Sequence, residues 1–404
     1  MFAGLFLMLT GAGLFNTLLG VRAQLDGFAP GVIGAISAAY YAGFLLGSRL
    51  ALRALGRVGH IRVYAALASV LAAAIIGAGL APVPAVWLAL RFTTGLCLAG
   101  QYVVAESWLN QLVSNRARGR VLAVYGIVTV GAFGAGQLVM APLDPEALTG
   151  FAIAALLITV AVAPVALSEE ADPPAIVAPE RMSLGELWRH VPTGVVTSVL
   201  VGIAHGSFFG LTAYYAARSG LDVAAVALFV AAPTIGCVLF QFPISAASDD
   251  VDRRAVGALA ALTAAGGAVA LLLTGPGGWA GVAWMVVMGG TMYPLYSIAG
   301  AYTTDWLPPA KMTAAASQLV LLYGAGALLG PLTASAAMGA IGPDGYVWTA
   351  IVTNGIIAIY LVVRMASYRL PLRSKPWRDV SLAGRVFYVP ATVVHMGRRL
   401  RDRR

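Results

Sequence analysis

The chain reads as an all-α integral membrane protein, with twelve transmembrane helices in two pseudo-symmetric six-helix bundles. Three observations predict this. Apolar residues make up 59% of the 404-residue chain and charged residues 11%, against about 45–50% and about 25% in soluble domains. The apolar residues gather into runs near the roughly 20 residues that a helix needs to cross hydrocarbon. Charges in the turns also recur at half length: Arg22 and Asp26 are repeated by Arg218 and Asp222, shifted by 196 residues in both cases. A membrane pattern repeated at half length predicts two similar bundles around a central path.

The first bundle takes residues 1–167, with spans near 3–21, 31–51, 63–81, 85–108, 120–141 and 148–167. Its first span has no basic leader and no obvious small-x-small cleavage site, so it is read as a retained helix. A basic turn, Arg53-Ala-Leu-Gly-Arg57-Val-Gly59-His60-Ile-Arg62, follows the second span. The third and fourth are joined by the short link Ala81-Pro-Val-Pro84, and Gly126, Gly131, Gly134 and Gly136 punctuate the fifth. Small residues at these places let helix backbones approach in lipid.

Residues 168–190 form a linker carrying Glu169, Glu170, Asp172 and Pro173-Pro174, too polar to remain in hydrocarbon. Within it, Ser183-Leu-Gly-Glu186 has the spacing of a capping box and predicts a short surface helix through Trp188. The second bundle takes residues 191–366, with spans near 191–216, 223–247, 255–274, 279–302, 313–338 and 345–366. Asp249-Asp250-Val-Asp252-Arg253-Arg254 follows its second span, and Tyr125-Gly126 recurs as Tyr323-Gly324 at an offset of 198. Residues 367–404 are a basic tail, in which ten Lys or Arg stand against two Asp.

With the amino terminus inside, all 26 Lys and Arg residues fall on the cytoplasmic side except Arg22 and Arg218 outside and Arg91 within a span. That asymmetry fits the positive-inside rule and predicts that both termini are cytoplasmic. The net charge of +9 therefore reports membrane topology, not nucleic-acid binding. The tail is expected to attract anionic lipid, at about 1 kcal/mol per basic residue near the surface. Cys97 and Cys237 lie within spans in opposite halves and suggest neither a disulfide framework nor a metal site, and no cofactor is expected.

Ionisable residues within spans usually face a cavity or a partner. Arg91, toward the outer part of the fourth span, is placed to bind an anionic group, with snorkelling to the interface as the structural alternative. Glu106 lies fifteen residues further along the same helix, roughly 22 Å at 1.5 Å per residue, so the two cannot form one ion pair. Gate contact and proton coupling are the two readings for Glu106, and for its approximate counterpart Asp305. His205 in the seventh span is a candidate proton carrier, since imidazole ordinarily titrates near pH ~6.5, and a satisfied structural donor is the alternative. Asn16, Tyr40, Tyr41, Gln101, Gln137, Tyr214, Gln241, Tyr293 and Tyr296 carry polar tips for which a water-filled path would provide partners. Trp87, Trp279 and Trp348 suit the interfacial belt.

These residues resemble the major facilitator superfamily over nearly the whole chain. Arg57, Gly59 and Arg62 fit the signature Gly-x-Leu-Ala-Asp-Arg-x-Gly-Arg-Arg of the turn after the second span, although Gly56 stands where the family has Asp. The second-half copy keeps the acid as Asp249, followed by Arg253 and Arg254. The resemblance implies that the residues of this turn form charged gate contacts on the cytoplasmic face, and Arg118 and Asp305 are placed with them as gate candidates by their position near that face. Arg91-Phe-Thr-Thr-Gly95-Leu-Cys-Leu-Ala99 has the family's fourth-helix spacing. Together with Glu106-Ser107-Trp108, Arg116-Ala-Arg118-Gly119-Arg120, Gly59-His60-Ile-Arg62-Val-Tyr64 and Tyr293-Pro294, it is similar to the YcaD-like bacterial branch. The fifth span lacks the Gly-Pro pair of drug–proton antiporters; the pair here, Gly330-Pro331, lies in the eleventh.

The expected function is secondary transport of a small organic solute across the bacterial inner membrane by alternating access, coupled to protons, by a monomer. The chain has no GxxxxGK[ST] loop for direct ATP use. It also has no intramembrane carboxylate pair, Ser–His constellation or metal-ligand spacing that would make it an enzyme. The alternative is a transporter-like solute receptor or scaffold signalling through its basic tail.

Overall fold

The computed structural model describes residues 1–112, 118–167 and 182–367, and among these every regular element is helical. The first half comprises α1 (Phe2–Leu25), α2 (Pro30–Val58), α3 (His60–Leu80), α4 (Pro84–Leu112), α5 (Arg118–Val139) and α6 (Leu148–Val160), which continues past Ala161 as α7 (Val162–Ala166). After α8 (Leu184–His190) the second half comprises α9 (Pro192–Arg218), α10 (Val223–Asp250), α11 (Arg253–Thr274), α12 (Gly278–Asp305), α13 (Pro309–Ile341) and α14 (Gly345–Ser367). Among the described residues, 11 helices are long and apolar enough to cross a membrane, and the shorter apolar stretch Val124–Val139 of α5 occupies the remaining expected position.

Local chemistry sets the boundaries. Proline opens α2, α4 and α9, at a position where its missing N–H costs no helical bond. The carboxylate of Asp222 accepts from Ala225 N–H at 2.8 Å to cap α10, and Asp252 accepts from Arg254 N–H at 2.9 Å to cap α11. Gly59 turns α2 into α3 at φ +81°, a backbone region that disfavours any side chain. The repeated turn charges take different work: Arg22 pairs with Asp26 at 2.9 Å, whereas Arg218 donates to the Tyr214 hydroxyl at 2.9 Å and leaves Asp222 to its cap.

Packing repeats between the halves. In the first, α2 packs on α4, α1 on α5 and α6, and α3 on α4 and α6; in the second, α10 packs on α12, α9 on α13 and α14, and α11 on α12 and α14. Across the boundary, α2 meets α13, α5 meets α10, and α1 meets α9. Glycine makes the close approaches: a Cβ on Gly43 would stand 1.9 Å from the Phe92 carbonyl oxygen, and one on Gly236 1.9 Å from that of Val286. These two glycines occupy matching places in the α2–α4 and α10–α12 pairs.

The linker helix α8 forms as the capping-box spacing predicts, through His190. Ser183 Oγ accepts from Glu186 N–H at 3.1 Å. The Glu186 carboxylate lies below the usual carboxylate range, held there first by a hydrogen bond from Lys311 Nζ at 2.5 Å, and also by the Ser183 backbone. Met182, Leu187 and Val191 bury against Tyr302, Leu307 and Leu319, so α8 is fixed to the second half and marks one face of the molecule, the linker face. The basic tail lies outside the described residues.

Candidate functional site

Between the halves lies a cavity of about 470 Å³, walled by side chains of both. At the face opposite the linker the halves close on each other. Ser37 Oγ donates to the Gly210 carbonyl at 3.0 Å, and the Tyr214 hydroxyl donates to the Phe28 carbonyl at 2.7 Å. Small residues let this seam shut, with Gly20 against Ala213 and Gly34 against Ser335. Toward the linker face the lining ends in Ser48, Glu106 and Tyr125, and Glu106 is exposed there.

Arg91 sits at the closed end, 4% exposed. Its Nη2 donates to Asn16 Oδ1 at 2.9 Å, and its guanidinium carbon lies 4.6 Å from the centre of the Tyr40 ring and 5.6 Å from that of Phe15. Its Nε has no hydrogen-bond partner, and among the described residues no carboxylate pairs with it. A buried cation without a counter-ion is costly, and rings offset part of that cost through their negative faces. Rings then continue away from it. Tyr41 meets Tyr40 at 5.2 Å between centroids, Tyr40 meets Phe44 at 6.1 Å, and Phe44 meets Tyr102 at 6.3 Å. At the far end Glu106 accepts from the Tyr125 hydroxyl at 3.1 Å.

The structure therefore brings Arg91, Asn16, Tyr40, Tyr41 and Glu106 of the first half and Tyr293 of the second together in one cavity lining. His205 stands behind the wall. Its Nε2 donates to the Met292 carbonyl at 2.9 Å, and in the neutral ring Nδ1 then accepts from the Tyr323 hydroxyl at 3.0 Å. The neutral ring is thus satisfied on both sides. Gln101 and Gln137 are buried away from the lining. Gln241 spans from α10 to Ser297 at 3.4 Å, Tyr214 belongs to the seam, and Tyr296 packs on Tyr323 at 4.7 Å.

The residues expected to make gate contacts divide by half. On the linker face Arg253 donates to Asp249 at 3.1 Å and to Asp305 at 2.7 Å, joining α10, α11 and α12. Arg254 pairs with Asp252 at 2.8 Å and donates to the Arg364 carbonyl at 2.8 Å. In the first half, where Gly56 replaces the acid, Arg57 and Arg62 are exposed and form no ion pair among the described residues. A hydrogen-bond contact, His60 Nε2 to Ser107 Oγ at 3.1 Å, joins α3 to α4 there. Arg118 opens α5, and its side chain lies outside the described residues.

Sequence reasoning missed Tyr102, Tyr125, Tyr323, Phe133 and Phe209, all of which line the cavity. One signal was present: the repeated Tyr-Gly pairs place Tyr125 and Tyr323 on the cavity from opposite halves, each hydroxyl holding an ionisable side chain.

A family model described as Major Facilitator Superfamily matches residues 1–232 and 195–403. The chain is 27% identical over 376 residues to the uncharacterized MFS-type transporter YcaD of Escherichia coli (strain SE11), covering 91% of this chain and 95% of that protein. Its fold is similar to the crystal structure of the nucleoside transporter NupG, with a TM-score of 0.74 at 15% identity over 91% of this chain and 98% of that one. It is similar as well to a bacterial homolog of the human lysosomal transporter Spinster in an inward-facing, unoccupied conformation, with a TM-score of 0.71 at 17% identity over 90% and 94% of the two chains.

Proposed function

The chain belongs to the Major Facilitator Superfamily and to its YcaD-like branch, and from that premise we propose that it carries a small amphipathic organic anion across the bacterial inner membrane by alternating access. The observation that carries this reading is the buried Arg91 guanidinium, which among the described residues has an unpaired Nε and no carboxylate partner, at the closed end of a ring-lined cavity. An anion at Arg91 would supply the missing counter-charge, and the rings would take an apolar body. With the linker face toward the cytoplasm, as the distribution of Lys and Arg supports, the described conformation faces inward.

Binding tests this with a defined pair of compounds. Naphthoate should raise the melting temperature of the detergent-purified protein saturably, and the uncharged, similarly shaped naphthamide should not. Equal shifts from both compounds would remove the anion from the account.

The proton path runs through Glu106 in this reading. Glu106 faces the cavity and among the described residues accepts a hydrogen bond from Tyr125, whereas the His205 ring is already engaged at both nitrogens, by Tyr323 and Met292. Glu106→Gln should flatten the pH dependence of naphthoate flux into proteoliposomes. His205→Gln should leave it in place, because a glutamine amide can donate to Met292 and accept from Tyr323 as the neutral ring does. The opposite pattern would return the proton to His205.

A further inference from the structure

The side edge of an arginine, formed by Nε–H and the adjacent Nη2–H, is one of the two parallel forks that a carboxylate takes with both oxygens. In Arg91 one prong of that fork, Nη2, is held by Asn16 Oδ1 at 2.9 Å, and the other, Nε, is buried and unpartnered. Asn16 has a second commitment. Its Nδ2 reaches across the boundary between the halves to the Phe209 carbonyl at 3.5 Å, a long and easily lost bond. The next carbonyl along α9, Gly210, accepts from Ser37 at 3.0 Å. One amide therefore touches both the cation of the cavity and the seam that shuts the opposite face.

We propose that Asn16 couples occupancy of Arg91 to the seam: an anion seated on the Nε–Nη2 edge displaces Asn16 Oδ1, and the released amide gives up Phe209. This rests on the anion reading for its ligand but not for its geometry. The empty carrier keeps the seam shut through Arg91, Asn16 and α9, and the loaded carrier opens it. A ligand shifts such an equilibrium only through contacts that differ between the two states, and the exchange at Asn16 is such a difference. Asn16 is a positioning residue in this scheme, acting on the gate through its two partners.

The readout is a cysteine in the seam. Ser37 is 1% exposed, so Ser37→Cys should react slowly with a membrane-impermeant maleimide added at the face opposite the linker. In that background Asn16→Ala should speed labelling by roughly three- to tenfold, the population change that one net hydrogen bond commands. Arg91→Ala should also speed it, and the double variant should be no faster than Asn16→Ala alone, because the two residues act in series. Naphthoate should speed labelling while Asn16 is intact and have no effect once it is alanine. Asn16→Ser, too short to span both partners, replaces the alanine variant should that one fail to fold. Unchanged labelling in the Asn16 variants, or effects of Asn16→Ala and Arg91→Ala that multiply, would overturn the coupling. Failure of naphthoate to bind at all would instead strike the anion reading, with the ligand-free variants still deciding the role of Asn16.

Discussion

Gly34→Val should arrest the carrier with the face opposite the linker open, leaving each half folded. A Cβ on Gly34 would stand 2.0 Å from Ser335 Oγ, 2.5 Å from Ser335 Cβ and 2.9 Å from the Pro331 carbonyl oxygen. The hydroxyl could rotate away, but the Cβ and the backbone carbonyl of α13 cannot. All three atoms belong to the other half, so the clash exists only while the seam is shut. Overpacking of this kind costs about 1–3 kcal/mol, and about 1.4 kcal/mol already shifts a two-state equilibrium tenfold. The expected results are a monodisperse protein with a melting temperature near that of the parent, flux reduced at least ~10-fold, and rapid labelling of Ser37→Cys from that face. Gly13 supplies the contrast: its Cβ would stand 2.1 Å from the Phe133 carbonyl oxygen within the same half, so Gly13→Val should lose stability in every conformation. Normal flux together with a protected Ser37→Cys in the Gly34 variant would show that the seam is not a moving contact.

Arg91→Ala should separate function from stability. Two charge-assisted hydrogen bonds to a carboxylate are worth about 1.5–3 kcal/mol each, so naphthoate affinity and subsaturating flux should fall by roughly two orders of magnitude or more. Melting temperature should hold, because the substitution removes a buried charge that has no ion-pair partner among the described residues, and such a charge contributes little to the fold. Arg91→Lys should recover only part of the loss. An ammonium keeps the charge but offers neither the planar fork nor a flat face to lie on Tyr40. Undiminished flux at subsaturating naphthoate in the alanine variant would end the case for Arg91 as the anion site.

The helices and their doubling were legible in the sequence because apolar runs of membrane-spanning length and repeated turn charges are local signals. Arg91, Glu106, Asn16, Tyr40, Tyr41 and Tyr293 were legible as well, since polar and phenolic tips within apolar spans stand out. What the sequence could not show was direction. Gln101 and Gln137 look like cavity residues by composition, yet they are buried between helices, and His205 turns to Met292 and Tyr323. The ring wall was hidden for the opposite reason. The central helices are apolar or aromatic on every side, so Phe133, Phe209 and Tyr102 carry no periodic mark of the face they line. The difference in charged contacts between the halves was partly legible, since Gly56 replaces the family's acid in the first half. The contact found on that side of the first half, His60 on Ser107, joins residues 47 positions apart, and no local pattern announces it.

The run of rings from Tyr41 through Tyr40 and Phe44 to Tyr102 has a consequence for selectivity. Any flat or flexible apolar body finds a π-face to lie on, whereas a wall of fixed donors and acceptors would reject each analogue that lacked a matching group. A missing methylene against such a wall changes preference by only about 10–200-fold. On the proposed anion reading, discrimination would then rest on where a compound carries its charge relative to its bulk, more than on its outline. On that reading, a carrier of this construction would tolerate a homologous series of compounds, and exchanging one ring for a smaller side chain would retune which member of that series it favours.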